Sequence, residues 1–179
     1  MNAATRVFYL LRDYCPSNVM TMIYHALVMS KLQYGLSCWG GCYMNTFKPL
    51  YIQQKMILRI ILRKRRVEPS WPLFKTNNIL PLQHLYIFKV LRLFYRRSGQ
   101  RNMRVDVRYN LRVNQQLIFN VPRFNTDHYR RYYIVTAPTF FNALPISVKR
   151  HFHYKTFLGE VRKWLLKTSD VSFLYRVLT

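Results

Sequence analysis

Acidic residues are nearly missing from this chain. Its 179 residues carry six carboxylates, Asp13, Glu68, Asp106, Asp127, Glu160 and Asp170, no two of them closer than ten residues apart. Phosphoryl transfer by paired metal ions needs carboxylates gathered around the ions, and no local pair supplies that here. Glycine is as scarce: five residues, with neither a glycine-rich phosphate loop nor a Gly-x-Ser-x-Gly elbow. Cysteine is limited to Cys15, Cys38 and Cys42, an odd set that argues against a closed disulfide framework and for a reducing compartment. Cys38 and Cys42 can face one side of a helix, but structural zinc wants two further ligands at comparable spacing. The nearest histidine is His25, with His151 and His153 far downstream. The thiols are therefore read as buried and free, and nothing singles out a Cys–His pair such as Cys38 with His25 or His84. No metal, no cofactor and no independent catalysis is expected.

Long apolar runs are also short of what a membrane span needs. The segment Val19 to Phe47 has Lys31 as its only full charge, but His25, Ser30 and Gln33 interrupt it, followed by Gly35, Gly40 and Gly41. A buried helix or helix pair fits better than a span of about 20 apolar residues. Asp13 and Pro16 break the first residues before a signal-peptide core can form. An intracellular protein, nuclear or cytoplasmic, is expected.

What is present is positive charge on a foldable chain. Lysine plus arginine number 29, so the net charge is 29 − 6 = +23, while half of the residues are hydrophobic. Such a chain is too apolar for a disordered basic tail, and its folded surface must seek a polyanion. Arginine exceeds lysine by 19 to 10, and its planar fork suits phosphate better than a point charge does.

Periodicity predicts a mainly α protein. Met20, Ile23, Tyr24, Leu27 and Val28 mark a helix from about Ser17 to Tyr34. A second begins near Asn45 or Thr46, with Pro49 in its first turn, and runs to about Leu62. A short turn of helix is expected at Trp71–Phe74, and Pro81 opens a third long helix that Ser98–Gly99 ends. From Gln100 to about Tyr133 the apolar residues become single and scattered. Tyr132 to Val135 reads as a short strand, Thr136 and Pro138 as the start of a short helix through Ala143, and Tyr154 to Lys167 as the last helix. A helical domain over 1–98 and a smaller mixed region over 99–179 follow.

Three basic groups stand out. Lys55, Arg59, Arg63 and Arg66 recur at steps of four, four and three, opposite Leu50, Ile57, Ile60 and Ile61, and the run continues as Arg63-Lys64-Arg65-Arg66. Few acids alternate with these cations, so they repel one another unless an anion sits there. The second group is Arg92, Arg96, Arg97, Arg101 and Arg104. The third is Arg130-Arg131 beside Tyr129, Tyr132 and Tyr133, where rings among arginines can stack on bases or sugars.

The order Tyr24-His25-Ala26-Leu27-Val28-Met29-Ser30-Lys31-Leu32-Gln33-Tyr34-Gly35, then Trp39-Gly40, resembles the start of the thumb region in non-LTR (LINE-type, jockey-like) retrotransposon reverse transcriptases. The resemblance continues through Leu50, Gln53-Gln54-Lys55, Leu58-Arg59-Ile60-Ile61, Pro72-Leu73-Phe74, Ile79-Leu80-Pro81-Leu82 and Leu85-Tyr86. It reaches Tyr109-Asn110, Arg112, Ala137-Pro138, Phe141-Asn142-Ala143-Leu144-Pro145 and Phe157. It covers nearly the whole chain in order, but the Tyr-Ala-Asp-Asp motif of the family's palm, its fingers and its endonuclease have no counterpart here. The resemblance implies a thumb-like helical bundle that grips template–primer duplex, a truncated or remnant open reading frame, and a partner palm in cis or in trans. It makes Lys55, Arg59 and Arg63 candidates for backbone contact, and Trp39 and Tyr34 packing residues. The expected ligand is RNA, RNA–DNA hybrid or duplex DNA, with no small-molecule substrate. A basic structural protein on anionic lipid and an inert transposon remnant are the alternative readings.

Overall fold

The computed structural model describes residues 2–98, 119–123, 125–150, 153–169 and 171. The chain divides into two compact units, Met1–Leu85 and Tyr86–Thr179. Every regular element among the described residues is helical.

The first unit opens with a helix that periodicity did not single out, α1 (Asn2–Leu11), which buries Phe8. Pro16 then takes the N-cap position of α2 (Ser17–Ile23), and the rod continues through a π-helical segment (Tyr24–Met29) into α3 (Ser30–Gln33). The wider π turn brings Tyr24, Val28 and Met29 to the buried side together. Gly35, at φ +58°, makes the left-handed turn into α4 (Leu36–Trp39), where a Cβ would be strained.

The long helix α5 (Met44–Ile61) starts earlier than expected, so Pro49 falls in its second turn rather than its first. There its missing N–H removes a helical bond, and the burial of Phe47, Ile57, Leu58, Ile60 and Ile61 outweighs that local cost. α5 ends in a Schellman turn: Arg63, at φ +53°, donates its N–H to the Ile60 carbonyl, and Lys64 to that of Arg59. Helix α6 (Ser70–Thr76) ends the same way around Asn78, also at φ +53°, with Ile79 N–H on the Phe74 carbonyl. Phe74 and Ile79 are both buried, the apolar contact such turns favour.

Gln54, fully buried on α5, joins three stretches of the first unit. Its Nε2 donates to the Tyr24 hydroxyl (3.0 Å) and the Leu80 carbonyl (3.2 Å), and its Oε1 accepts from the Leu82 N–H (2.7 Å). The last bond caps the N-terminus of α7 (Leu82–Ser98) from another helix. Burial raises the Tyr24 hydroxyl to about pKa 12, with the Gln54 bond pulling the other way.

The second unit contains most of α7, then α8 (Asp127–Arg130), α9 (Tyr133–Asn142), α10 (Ile146–Lys149) and α11 (Tyr154–Lys167). Its core is aromatic: Tyr95 stacks on Phe157 (4.4 Å), Phe94 meets Phe119 edge-on (4.8 Å), and Phe119 meets Phe141 (4.9 Å). The Asn142 side chain both donates to and accepts from the Phe119 backbone (2.8 Å each), which fixes the incoming segment against α9.

The short strand expected at Tyr132–Val135 does not form. Tyr132 alone is extended, as an N-cap, and its carbonyl accepts from Val135 and Thr136 to close the first turn of α9. The β-branched run Ile134-Val135-Thr136 favours a strand locally, but helical winding buries Val135, Ala137, Phe140 and Phe141 together. The irregular reading of 100–118 and the basic residues Arg101 and Arg104 lie outside the described residues. No described helix is long and apolar enough to cross a membrane.

The buried amide and its phenol partner make this packing testable. Gln54→Leu removes the partner of three polar groups at once and is expected to cost about 3 kcal/mol or more by urea unfolding. Tyr24 is protonated preferentially in the folded state, so its contribution is complete below pH 10 and is lost as pH rises from 10 to about 12. That loss is at most about 3 kcal/mol. Tyr24→Phe is expected to be less stable at pH 7 by about 1 kcal/mol, yet to lose less between pH 10 and 12 than wild type in parallel denaturant melts.

Candidate nucleic-acid interface

The first basic group is not one continuous helical stripe. Lys55 and Arg59 lie on α5, but the helix ends at Ile61, so Arg63, Lys64, Arg65 and Arg66 occupy the turn that follows. Lys55 Nζ sits over the Tyr51 ring at 3.9 Å. Partial burial, then the Arg59 charge, lowers its pKa; burial raises that of Tyr51, against the pull of Arg59. Arg59 holds the Glu68 carbonyl through Nε (3.0 Å) and Nη2 (2.8 Å), which closes the turn from within. Arg63 Nη2 donates to the Arg12 carbonyl (2.9 Å), just past the end of α1.

Lys64 pairs with Glu68 at 3.3 Å. Arg65 and Arg66 are exposed, and among the described residues no side-chain hydrogen bond or ion pair holds either of them. Val67 follows at 93% exposure. The turn is thus tied at its base by Arg59 and its helix cap, and it presents two unengaged guanidinium groups.

In the second unit, Arg92 and Arg96 are exposed one turn apart on α7. Arg92 Nε donates to the Tyr154 hydroxyl (3.2 Å), and partial burial with the Arg92 charge lowers the Lys89 pKa. Arg97 lies over the Tyr133 ring at 5.3 Å, which brings the second and third basic groups together. Burial raises the Tyr133 hydroxyl, and Arg97 opposes that shift.

Asp127 binds Arg131 at 3.3 Å and Arg130 at 3.6 Å. Their side chains are 11% and 30% exposed, respectively, so Arg131 serves mainly to hold the α8 turn. Tyr129 and Tyr132 keep exposed rings beside them.

Other expectations shift with the structure. Trp39 is half-buried, packing on Phe47 and donating to the Tyr34 carbonyl (2.8 Å), but Tyr34 itself is 85% exposed and packs little. The thiols are not buried: Cys38 is exposed, while Cys15 and Cys42 are half-buried. No group of three or more His, Cys, Asp or Glu among the described residues is placed to hold a metal. Lys149, which sequence patterning did not mark, is buried with Nζ on the Asn142 carbonyl (2.7 Å) and near the Phe141 ring. Its burial lowers the pKa.

No family model matches the chain, and neither a curated protein nor a solved structure matches it.

The two roles of the arginines separate by mutation. Arg59→Gln is expected to cost about 2 kcal/mol, because it frees the Glu68 carbonyl from a charged donor. Arg65→Gln and Arg66→Gln are expected to stay within about 0.5 kcal/mol of wild type in the same urea titration.

Proposed function

We propose that this chain is a nucleic-acid-binding helical segment of the thumb type, related to non-LTR retrotransposon reverse transcriptases. It holds RNA, RNA–DNA hybrid or duplex DNA through phosphate contacts, without catalysis of its own, and works with a palm supplied in cis or in trans. The observation that carries the reading is the turn after α5. Arg65 and Arg66 are exposed on a base fixed by Arg59, and the nearby acid, Glu68, already pairs with Lys64. Two like charges held close together without a neutralising acid destabilise the surface they share, and a phosphate backbone relieves that repulsion while releasing counterions. The charge of +23 supports the same class of ligand. Contacts of this kind position a strand and read no sequence.

Purified protein is expected to bind duplex with little sequence preference and with affinity that falls steeply as salt rises. Arg65→Gln/Arg66→Gln should weaken all sequences alike. On duplex DNA it should lower the slope of log K against log salt by about 0.9 for each phosphate left without its cation. The thermal melt of this variant should match or slightly exceed that of wild type, because two mutually repelling cations are removed. Salt-insensitive binding, or an unchanged slope in the double variant, would refute the assignment.

A further inference from the structure

The α8–α9 corner carries a feature that phosphate contact does not use. Tyr129, Tyr132 and His128 are all exposed, with Tyr132 at 52% and Tyr129 at 37%. The His128 and Tyr132 rings meet edge-on at 5.3 Å, Tyr129 and Tyr132 lie at 5.8 Å, and the Tyr132 hydroxyl is 3.4 Å from His128 Nε2. The turn beneath is tied down: Thr126 Oγ1 accepts from the Tyr129 N–H (3.3 Å), and Asp127 bridges Arg130 and Arg131. Rings on a braced turn lose little further freedom when a ligand covers them.

We infer that this aromatic corner binds single-stranded nucleic acid by stacking unpaired bases on Tyr129 and Tyr132, with the positive potential of nearby Arg97 and Arg130 drawing the strand's backbone toward it. Charge selects the ligand. Arg130 and Arg131 adjoin the two tyrosines along the chain, Arg97 lies over the neighbouring Tyr133 ring, and among the described residues the carboxylate at this corner is Asp127, which Arg130 and Arg131 hold. An uncharged or basic protein partner would leave that excess uncompensated, whereas a single strand offers a phosphate for each cation and a π face for each ring. Bases within a duplex are stacked on one another and offer these rings no face, so the corner distinguishes unpaired from paired strands. The inference shares with the duplex reading only the polyanionic class of the ligand, and it uses different residues.

The test is fluorescence anisotropy on the full chain with labelled oligo(rU), oligo(dT) and an abasic deoxyribose-phosphate strand. All three are about twelve nucleotides long, within the usual site size of such surfaces. The base-bearing strands should bind at least about fivefold more tightly than the abasic strand of equal charge. Whichever of the uracil and thymine strands binds better identifies the polymer. Tyr129→Ala/Tyr132→Ala should abolish that advantage while leaving duplex affinity unchanged, and Tyr132→Phe, which keeps the ring, should retain it.

Equal binding of abasic and base-bearing strands by the native chain overturns the inference, and so does a folded double-alanine variant that keeps the advantage. Loss of duplex binding in Arg65→Gln/Arg66→Gln with the base advantage intact supports both sites as separate. An absence of duplex binding in the native chain, with the base advantage present, removes the duplex reading and sustains this one.

Discussion

A buried primary amide can use both of its ends only where donors and acceptors meet it from different directions, and Gln54 satisfies that condition in the first unit. One side chain on α5 reaches the π-helical segment at Tyr24, the chain entering α7 at Leu80 and the first N–H of α7 at Leu82. Each of these groups is buried, so each is worth more as a bonded pair than it would be in water and costs more if left alone. The placement of Tyr24 in turn depends on the π turn, which brings Tyr24 and Val28 to the same side. Thr5 on α1 adds a further tie to α5 through Gln53 (2.9 Å).

Positive charge sets the second constraint. With six carboxylates for 29 cations, ion pairing cannot satisfy most of the lysines and arginines. The fold turns instead to backbone carbonyls at the ends of helices and loops: Arg59 on Glu68, Arg63 on Arg12 and Lys149 on Asn142. Asn142 closes α9 and Arg12 follows α1, so Lys149 and Arg63 also meet the negative end of a helix dipole. Aromatic faces provide the other acceptors, with Tyr51 under Lys55, Tyr133 under Arg97 and Phe141 near Lys149. The fourteen tyrosines thus serve partly as counter-surfaces for cations, not only as apolar volume.

Much of the helical organisation is legible in the sequence because burial and periodicity agree there. The rod from Ser17, the end of α5 near Leu62, the helix after Pro81 and that from Tyr154 to Lys167 all follow apolar spacing. The strand expected at Tyr132–Val135 does not form although its four residues, two tyrosines, Ile134 and Val135, favour one locally, and nothing in those four reveals that Phe140 and Phe141 are buried with Val135 in one helix. Helix α1 is hidden because its apolar residues Val7, Tyr9 and Leu10 stay exposed beside buried Phe8, which blurs the periodic signal. At the candidate site, the sequence names the cations but not their bonds. Whether Arg59 faces a phosphate or the Glu68 carbonyl depends on how the chain returns after the turn, and no spacing rule encodes that.

On the proposed nucleic-acid reading, the sorting of cations bears on how strongly binding would depend on salt. A charge of +23 suggests a very large number of phosphate contacts, but a cation already bonded to a carbonyl, ring or carboxylate releases few counterions when a strand arrives. Arg59, Arg63, Arg131 and Lys149 belong to that bonded class, whereas Arg65, Arg66 and Arg96 project into solvent. On that reading, the counterions released would be set by the exposed cations and not by composition. The bonded ones play a different part: Arg59 holds the turn after α5, and Arg131 with Asp127 holds the α8 turn. On the proposed reading an acid-poor sequence suits this division of labour, because carboxylates that neutralised the exposed arginines would also compete with a polyanion for them.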